Sequence, residues 1–391
     1  MIKVKMYPAE KGYAFLITLC SESGNKHIVI DMGLKSTYID KIKPDLLAIS
    51  EKGEKIDLLI ITHIDQDHIQ GALNFIEENG SDAKIIEVNE VWHNSFRHLQ
   101  FKKASSLPDA ERKILKRTVS QNGSPIKDGK NHISAHEGSS LSALLLKFNY
   151  NWNTATRGQA VHTCINRNYN FDEFSIELLS PNKDKLNLLA KFWLSYLRKQ
   201  KYNFTITDDI IFDDAFEFMT MNETSGSGQK RKISSSQNLD FERLSKVDAN
   251  AKDIDKRAPN GSSIAFILKF KDKNLLFLAD SHDDIIIEEI NRKNCKKPVN
   301  FELIKVPHHG SNNNFRSELA NLIKSDTYLI PTDGQHHGHP NIEVIAKISN
   351  STQYKKIIFN YEHETYRKIN NEFIKNKYNV DFDVSDEIIF Q

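Results

Sequence analysis

Thr62-His63-Ile64-Asp65-Gln66-Asp67-His68 places four metal-capable side chains in one short stretch. An apolar run, Ile56 to Ile61, precedes it and reads as a buried strand. Ile69-Gln70-Gly71-Ala72-Leu73-Asn74-Phe75 follows and reads as the start of a helix. The four side chains therefore sit in a strand-to-helix turn. In an extended turn side chains alternate with period two, so His63 and Asp65 point to one side. Asp67 and His68 lie where the helix begins and serve a second position. Such a turn suits two neighbouring metal ions. The plain alternative is a polar turn that only caps a helix.

The pattern His-x-Asp-x-Asp-His resembles the His-x-His-x-Asp-His signature of the metallo-β-lactamase fold, with Asp65 in place of the second His. The Asp form resembles one branch in particular, the hydrolase domain of bacterial competence (DNA-uptake) proteins, together with choline-esterase-like hydrolases. Three later motifs extend the likeness. Asp280 ends the apolar run Leu275-Leu276-Phe277-Leu278, where this fold places a carboxylate that bridges two metals. Pro307-His308-His309-Gly310-Ser311 is similar to a loop of the competence branch, and His339-Pro340 to its last motif. The resemblance covers about residues 1–95 and 173–360. It implies an α/β fold, a four-layer αββα sandwich, here with an inserted helical cap.

The resemblance also implies roles. His63, Asp65, Asp67, His68, Asp280, His308 and His309 are the expected metal ligands. One of His308 and His309 ligates while the other contacts substrate, and which does which stays open. Asp67 orients a water shared by two ions, and His339 either ligates or donates a proton to the leaving oxygen. Ser311 donates to a phosphoryl oxygen. Asp31, in the Asp31-Met32-Gly33 turn, and His93, in Trp92-His93-Asn94, are candidates for further ligands or for groups behind the ligands. Three carboxylates make the site harder than an all-His one. That favours Mn²⁺ or Mg²⁺ more than usual, with Zn²⁺ retained by the imidazoles.

Composition bounds the rest. The chain has 391 residues and a formal net charge of +1, so global charge speaks neither for nor against nucleic acid. Cys20, Cys164 and Cys295 lie far apart and suit a reducing cytoplasm better than a disulfide framework. Met1-Ile2-Lys3-Val4-Lys5-Met6 reads as a strand rather than a signal peptide, and no apolar run approaches bilayer length. The expected location is the cytoplasm, away from membranes.

Along the chain, strands are expected over 2–6, 13–20 and 27–31, then a helix over 36–49. Another strand is expected over 84–91. Residues 96–172 read as a cap inserted into a single domain spanning 1–391. That cap contains a basic helix over 110–119, whose Lys113 and Arg117 are candidate substrate contacts. Residues 222–259 read as a mobile insertion loop carrying Lys230-Arg231-Lys232. His336 and His337 read as incidental.

The leading expectation is a metal-dependent phosphodiesterase, a nuclease acting on DNA more than RNA. Free-standing relatives of the competence branch occur in prokaryotic defence systems, which makes a defence effector with a protein partner the expected setting. One alternative is a hydrolase of a small ester: a phosphorylcholine-like diester, a lactone or a thioester. Another is a metal-stabilised binding subunit.

Overall fold

The computed structural model describes residues 1–391 apart from 100–103, 105, 123–139, 200–204, 208, 210, 224–238 and 336–337. The Lys230-Arg231-Lys232 cluster, His336 and His337 lie outside the described residues. Strands β1 (Ile2–Tyr7), β2 (Ala14–Ser21), β3 (Gly24–Met32), β4 (Ile56–Ile61) and β5 (Val91–His93) come first. Then come β6 (Asn168–Asn170), β7 (Ser175–Ser180), β8 (Ala265–Phe270) and β9 (Lys273–Phe277). The last third holds β10 (Val299–Phe301), β11 (Leu303–Lys305), β12 (Ile323–Ser325), β13 (Thr327–Ile330), β14 (Lys355–Phe359), β15 (Val380–Val384) and β16 (Glu387–Phe390).

Among the described residues, two large sheets form. The first runs β16-β1-β2-β3-β4-β5 and the second β15-β14-β13-β11-β9-β8-β7-β6. Both begin as antiparallel hairpins and become parallel where helices intervene. Period-two alternation then sorts each strand between two cores. Ile28 and Ile30 of β3 and Leu58 and Ile60 of β4 meet Phe266, Leu268, Leu275 and Phe277 between the sheets. Val29, Leu59 and Ile61 turn the other way, onto the helix Gln66–Asn79 through Ile69, Ala72 and Ile76. Ile267 and Leu276 do the same for the second sheet, against Ile286 and Ile290 of the helix Asp283–Arg292. The result is the four-layer αββα sandwich. Strands buried on both faces explain why Ile56–Ile61 reads as continuous rather than alternating apolar sequence.

Three elements depart from the sequence reading. The helix expected over 36–49 is broken by a π-helical turn, Tyr38–Ile42, before continuing as Lys43–Ser50. Pro44 has no N–H to give, and the wider turn lets Lys43 N donate to Tyr38 O ahead of it. The strand expected over 84–91 shrinks to β5. Asn79 Oδ1 accepts from Ile85 N and Ile86 N, and Asn79 Nδ2 donates to Ile86 O, so a side chain takes the place of a neighbouring strand. The final thirty residues join the core. β15 pairs in parallel with β14, and β16 pairs with β1, Ile2 opposite Phe390.

The helices Asp109–Asn122 and Leu141–Lys147 pack through Leu115, Leu141 and Leu144 into the apolar cluster outside the first sheet. The helices Lys183–Lys199 and Ile211–Glu223 join the same cluster through Trp193, Phe212 and Phe216.

Candidate metal centre

The loops that leave β3, β4, β9 and β11 converge at one end of the sandwich. The positions that turn there carry unusual backbone. Asp31, Ala279, His308 and His309 all have positive φ, between 44° and 54°. For residues with a Cβ this conformation is costly, and it persists where surrounding contacts over-determine it. Close packing fixes the turn from the other side. A Cβ on Gly12 would lie 1.9 Å from the carbonyl oxygen of Asp67, so only glycine lets these two backbones touch.

At the centre stands Asp280. Its Oδ2 lies 3.7 Å from His309 Nε2, 3.8 Å from His68 Nε2, and 3.9 Å from both His63 Nε2 and His308 Nε2. These spacings are too long for hydrogen bonds. They match donor atoms sharing a common ion at ~2.1 Å, which stand about 3–4 Å apart depending on the angle.

The protons of the four imidazoles are accounted for on their far sides. His309 Nδ1 donates to Pro331 O at 2.8 Å. His308 Nδ1 faces Asn314 Oδ1 at 2.9 Å and Asp255 Oδ2 at 3.3 Å. His68 Nδ1 lies 3.1 Å from Asp31 Oδ2. Thr62 gives its hydroxyl hydrogen to Asp31 Oδ2 at 2.7 Å, which leaves its oxygen to accept from His63 Nδ1 at 2.9 Å. Every Nδ1 is thus held by an acceptor, and every neutral ring aims an Nε2 lone pair at an anionic oxygen. A metal ion between them would take up these lone pairs in place of the protons that His68 and His308 otherwise hold.

Three buried atoms point to the same conclusion. Among the described residues, no hydrogen-bond partner is found for His63 Nε2, Asp65 Oδ1 or Asp280 Oδ1. Buried polar atoms are seldom left so. Asp67, His68 and His309 also come within ligand reach of one another. Imidazole and carboxylate donors of this kind fit divalent Zn²⁺ or Mn²⁺.

Electrostatics follows the geometry. Burial opposes the charge on Asp280, yet His309, His308, Lys305 and His68 hold its pKa well below the usual carboxylate range. Burial likewise opposes ionisation of Asp67, and His68, Lys11 and His309 outweigh it, so its pKa is lowered. His68 and His308 are raised to about 9: burial works against protonation, but Asp67 and Asp31 around the first, and Asp280 and Asp255 around the second, prevail. Burial pushes His309 down to about 4, helped by Lys305 and His308. Lys305 is buried beneath the site, its Nζ 3.6 Å from Asp280 Oδ1 and over the Tyr13 ring. Burial lowers its pKa to about 8.

The structure gathers most of the residues singled out from sequence. Asp65, Asp67, His68, Asp280, His308, His309 and His339 line one small cavity of about 50 Å³, with His63 buried behind it. Asp31 is fully buried, and both its oxygens are engaged by Thr62 and His68, so it stands behind a ligand.

Other expected residues lie elsewhere. His93 faces Glu217 at 3.3 Å and stacks on Trp152. Period two sends its neighbour Trp92 between the sheets and His93 toward the helices. Ser311 is buried, its hydroxyl oxygen accepting from Asn313 N, and it does not line the cavity. Lys113 and Arg117 are exposed on their helix, which packs against Ile211–Glu223, and neither lines the cavity.

Residues that sequence reasoning missed complete the site. Arg257 Nη2 donates to Asp65 Oδ2 at 3.0 Å, and Lys11, Arg257 and Thr332 are cavity walls. Asp255 is tied to His308, Asn260 and Asn314, and although burial opposes it, His308 and His282 lower its pKa. Asp255 and Arg257 fall inside the span read as a loop, where Ser, Gly, Lys and Asp gave no sign of a site. Gly12 offered a signal only as a glycine just before a strand.

Residues 8–142 match the profile of the Metallo-beta-lactamase superfamily. No curated protein matches the chain in sequence. Similar solved structures include the metallo-beta-lactamase fold protein YhfI from Bacillus subtilis. It is 10% identical, with 98% of this chain and 96% of that chain covered at a TM-score of 0.38. A mutant of the CmlA beta-hydroxylase is also 10% identical, with 99% of this chain and 53% of that chain covered at a TM-score of 0.34. The profile match over residues 8–142, the four-layer sandwich and the histidines around Asp280 together make this chain similar to the metallo-beta-lactamase superfamily.

Proposed function

We propose that this chain is a metal-dependent phosphodiester hydrolase that cuts nucleic acid, DNA before RNA. The observation that carries the hydrolase reading is Asp280 Oδ2, set 3.7–3.9 Å from four Nε2 atoms whose rings are all anchored through Nδ1. These groups, with Asp65 and Asp67, would hold two divalent ions, which when bound would polarise an ester and make a water nucleophilic at neutral pH.

The chain's own residues do the rest. Asp67 remains ionised on the cavity wall and accepts the hydrogen bond that orients a water. Lys11 and Arg257 on the same wall offer positive charge to non-bridging phosphoryl oxygens. His339, also on the wall, either ligates or hands a proton to the leaving oxygen. Lys305 offsets the charge of Asp280 from beneath.

The DNA reading is supported by Asp65 and by Pro307-His308-His309-Gly310-Ser311, which resemble the competence-protein branch. A role in prokaryotic defence with a protein partner belongs to the same proposal. The small volume of the centre, about 50 Å³, favours a second reading in which the substrate is a small ester.

The test is hydrolysis of single- and double-stranded DNA, RNA and bis(p-nitrophenyl) phosphate with Mn²⁺, Zn²⁺ or Mg²⁺. Metal-dependent cleavage of DNA is expected. Turnover of the small diester with every polymer left intact would support the small-ester reading. No turnover of any phosphodiester by metal-loaded protein would overturn the proposal.

A further inference from the structure

The metal centre is too small for its proposed substrate. A cavity of about 50 Å³ admits a phosphoryl group and little more. The remainder of any larger substrate must lie outside it. Next to it lies a groove of about 810 Å³, and Arg257 is a wall of both. The groove runs between the helix Lys183–Lys199 and the segment 256–259.

Its chemistry is of two kinds. Leu188 and Phe192 from the helix face Ala258 and Pro259, making an apolar floor. Lys191, Lys256 and Arg257 add positive charge, and no acidic residue lines the groove among the described residues. Leu188 is 49% exposed, a large apolar side chain left in water on the groove wall. Arg257 spends one N–H on Asp65 and presents the rest of its five-donor fork at the junction.

We infer that this groove, joined to the metal centre through Arg257, is a subsite for a single strand of nucleic acid flanking the scissile phosphate. Its phosphates meet Lys191, Lys256 and Arg257, and a base rests on Phe192. An aromatic, apolar surface beside cations is the combination that holds single strands without reading sequence. An uncharged small ester would leave the three cations unused. The inference rests on the phosphodiesterase reading and adds where the polymer lies.

The test measures binding of a fluorescent single-stranded DNA oligonucleotide by anisotropy, with chelator present to prevent cleavage, across a salt series. Wild type is compared with Phe192→Ala and with the double variant Lys191→Glu/Lys256→Glu. Circular dichroism checks folding, and bis(p-nitrophenyl) phosphate turnover checks the centre. The charge reversal is expected to weaken binding at least ~10-fold and to flatten its salt dependence by about two counterions. Phe192→Ala should weaken it by roughly 5-fold or more. Small-diester turnover should stay at the wild-type level in both variants.

Unchanged oligonucleotide binding in both variants, with small-diester turnover intact, would overturn the groove and leave the hydrolase standing. Groove-dependent binding of phosphatidylglycerol vesicles in place of the oligonucleotide would overturn it as well. Absence of small-diester turnover in every protein would instead count against the phosphodiesterase reading, while the binding data still decide the groove.

Discussion

Asp255 Oδ2 lies 3.3 Å from Nδ1 of His308, and its other contacts, to Asn260 and Asn314, hold it there. A carboxylate behind a ligating imidazole fixes the ring's tautomer and raises its basicity. Asp255→Ala should therefore weaken metal binding by ~10–100-fold, read by competition with a chromogenic chelator. Metal affinity equal to wild type would show that His308 needs no such support.

Gly12 makes a second, purely steric prediction. Gly12→Ala would put a Cβ 1.9 Å from Asp67 O, a clash with backbone that no rotamer relieves. The turn carrying Asp67 and His68 must shift. The expected cost is about 2 kcal/mol or more in stability, seen in thermal unfolding, with metal retention reduced. A variant that melts and binds metal like wild type would mean that the two backbones are not in contact.

Proton uptake by the histidines gives a pH prediction. In the metal-free fold His68 and His308 rise from an ordinary 6.5 to about 9, with burial opposing the shift and the surrounding carboxylates winning. The folded state then holds protons that the unfolded chain releases earlier. Their stabilisation is complete below pH 6.5 and fades as pH rises through 9. Chelated protein should lose several degrees of Tm across that window, of the order ~4–8 °C, while His308→Gln should lose less. A Tm that rises from pH 6.5 to 9 would contradict the assignment.

Glu217 organises a separate polar cluster. It accepts from Ser95 Oγ at 3.1 Å and from Leu141 N at 2.8 Å, bonds the Ser142 hydroxyl, and faces His93. Beside it, burial raises Asp213 to about 6 although Arg97 pairs with it. Glu217→Ala leaves several buried donors without an acceptor and should cost about 2–4 kcal/mol. Metal content should not change, in this variant or in His93→Gln. Loss of a metal ion in His93→Gln would return His93 to the ligand set.

Much of the fold was legible in the sequence. Ile56–Ile61 followed by His63-x-Asp65-x-Asp67-His68 read directly as strand, turn and helix, because burial on both sheet faces leaves an unbroken apolar run. Asp280 was legible for the same reason, since the apolar run of β9 continues through Leu278 and Ala279 up to it. Asp255 and Arg257 were not, because they reach the site from an irregular segment whose path tertiary contacts determine. β15 and β16 were missed because short edge strands carry little pattern of their own and take their place from β14 and β1. The surroundings of His93 were not legible, because β5 starts late and the alternation along it turns that ring toward Glu217.

The most direct test of the account is the metal content of purified protein, measured by mass spectrometry beside DNA cleavage, for wild type and Asp280→Asn. Asp280 Oδ2 faces all four Nε2 atoms, so its loss should empty or halve the centre and lower cleavage by at least ~100-fold while circular dichroism is unchanged. Wild-type metal content and full cleavage in Asp280→Asn would contradict the account.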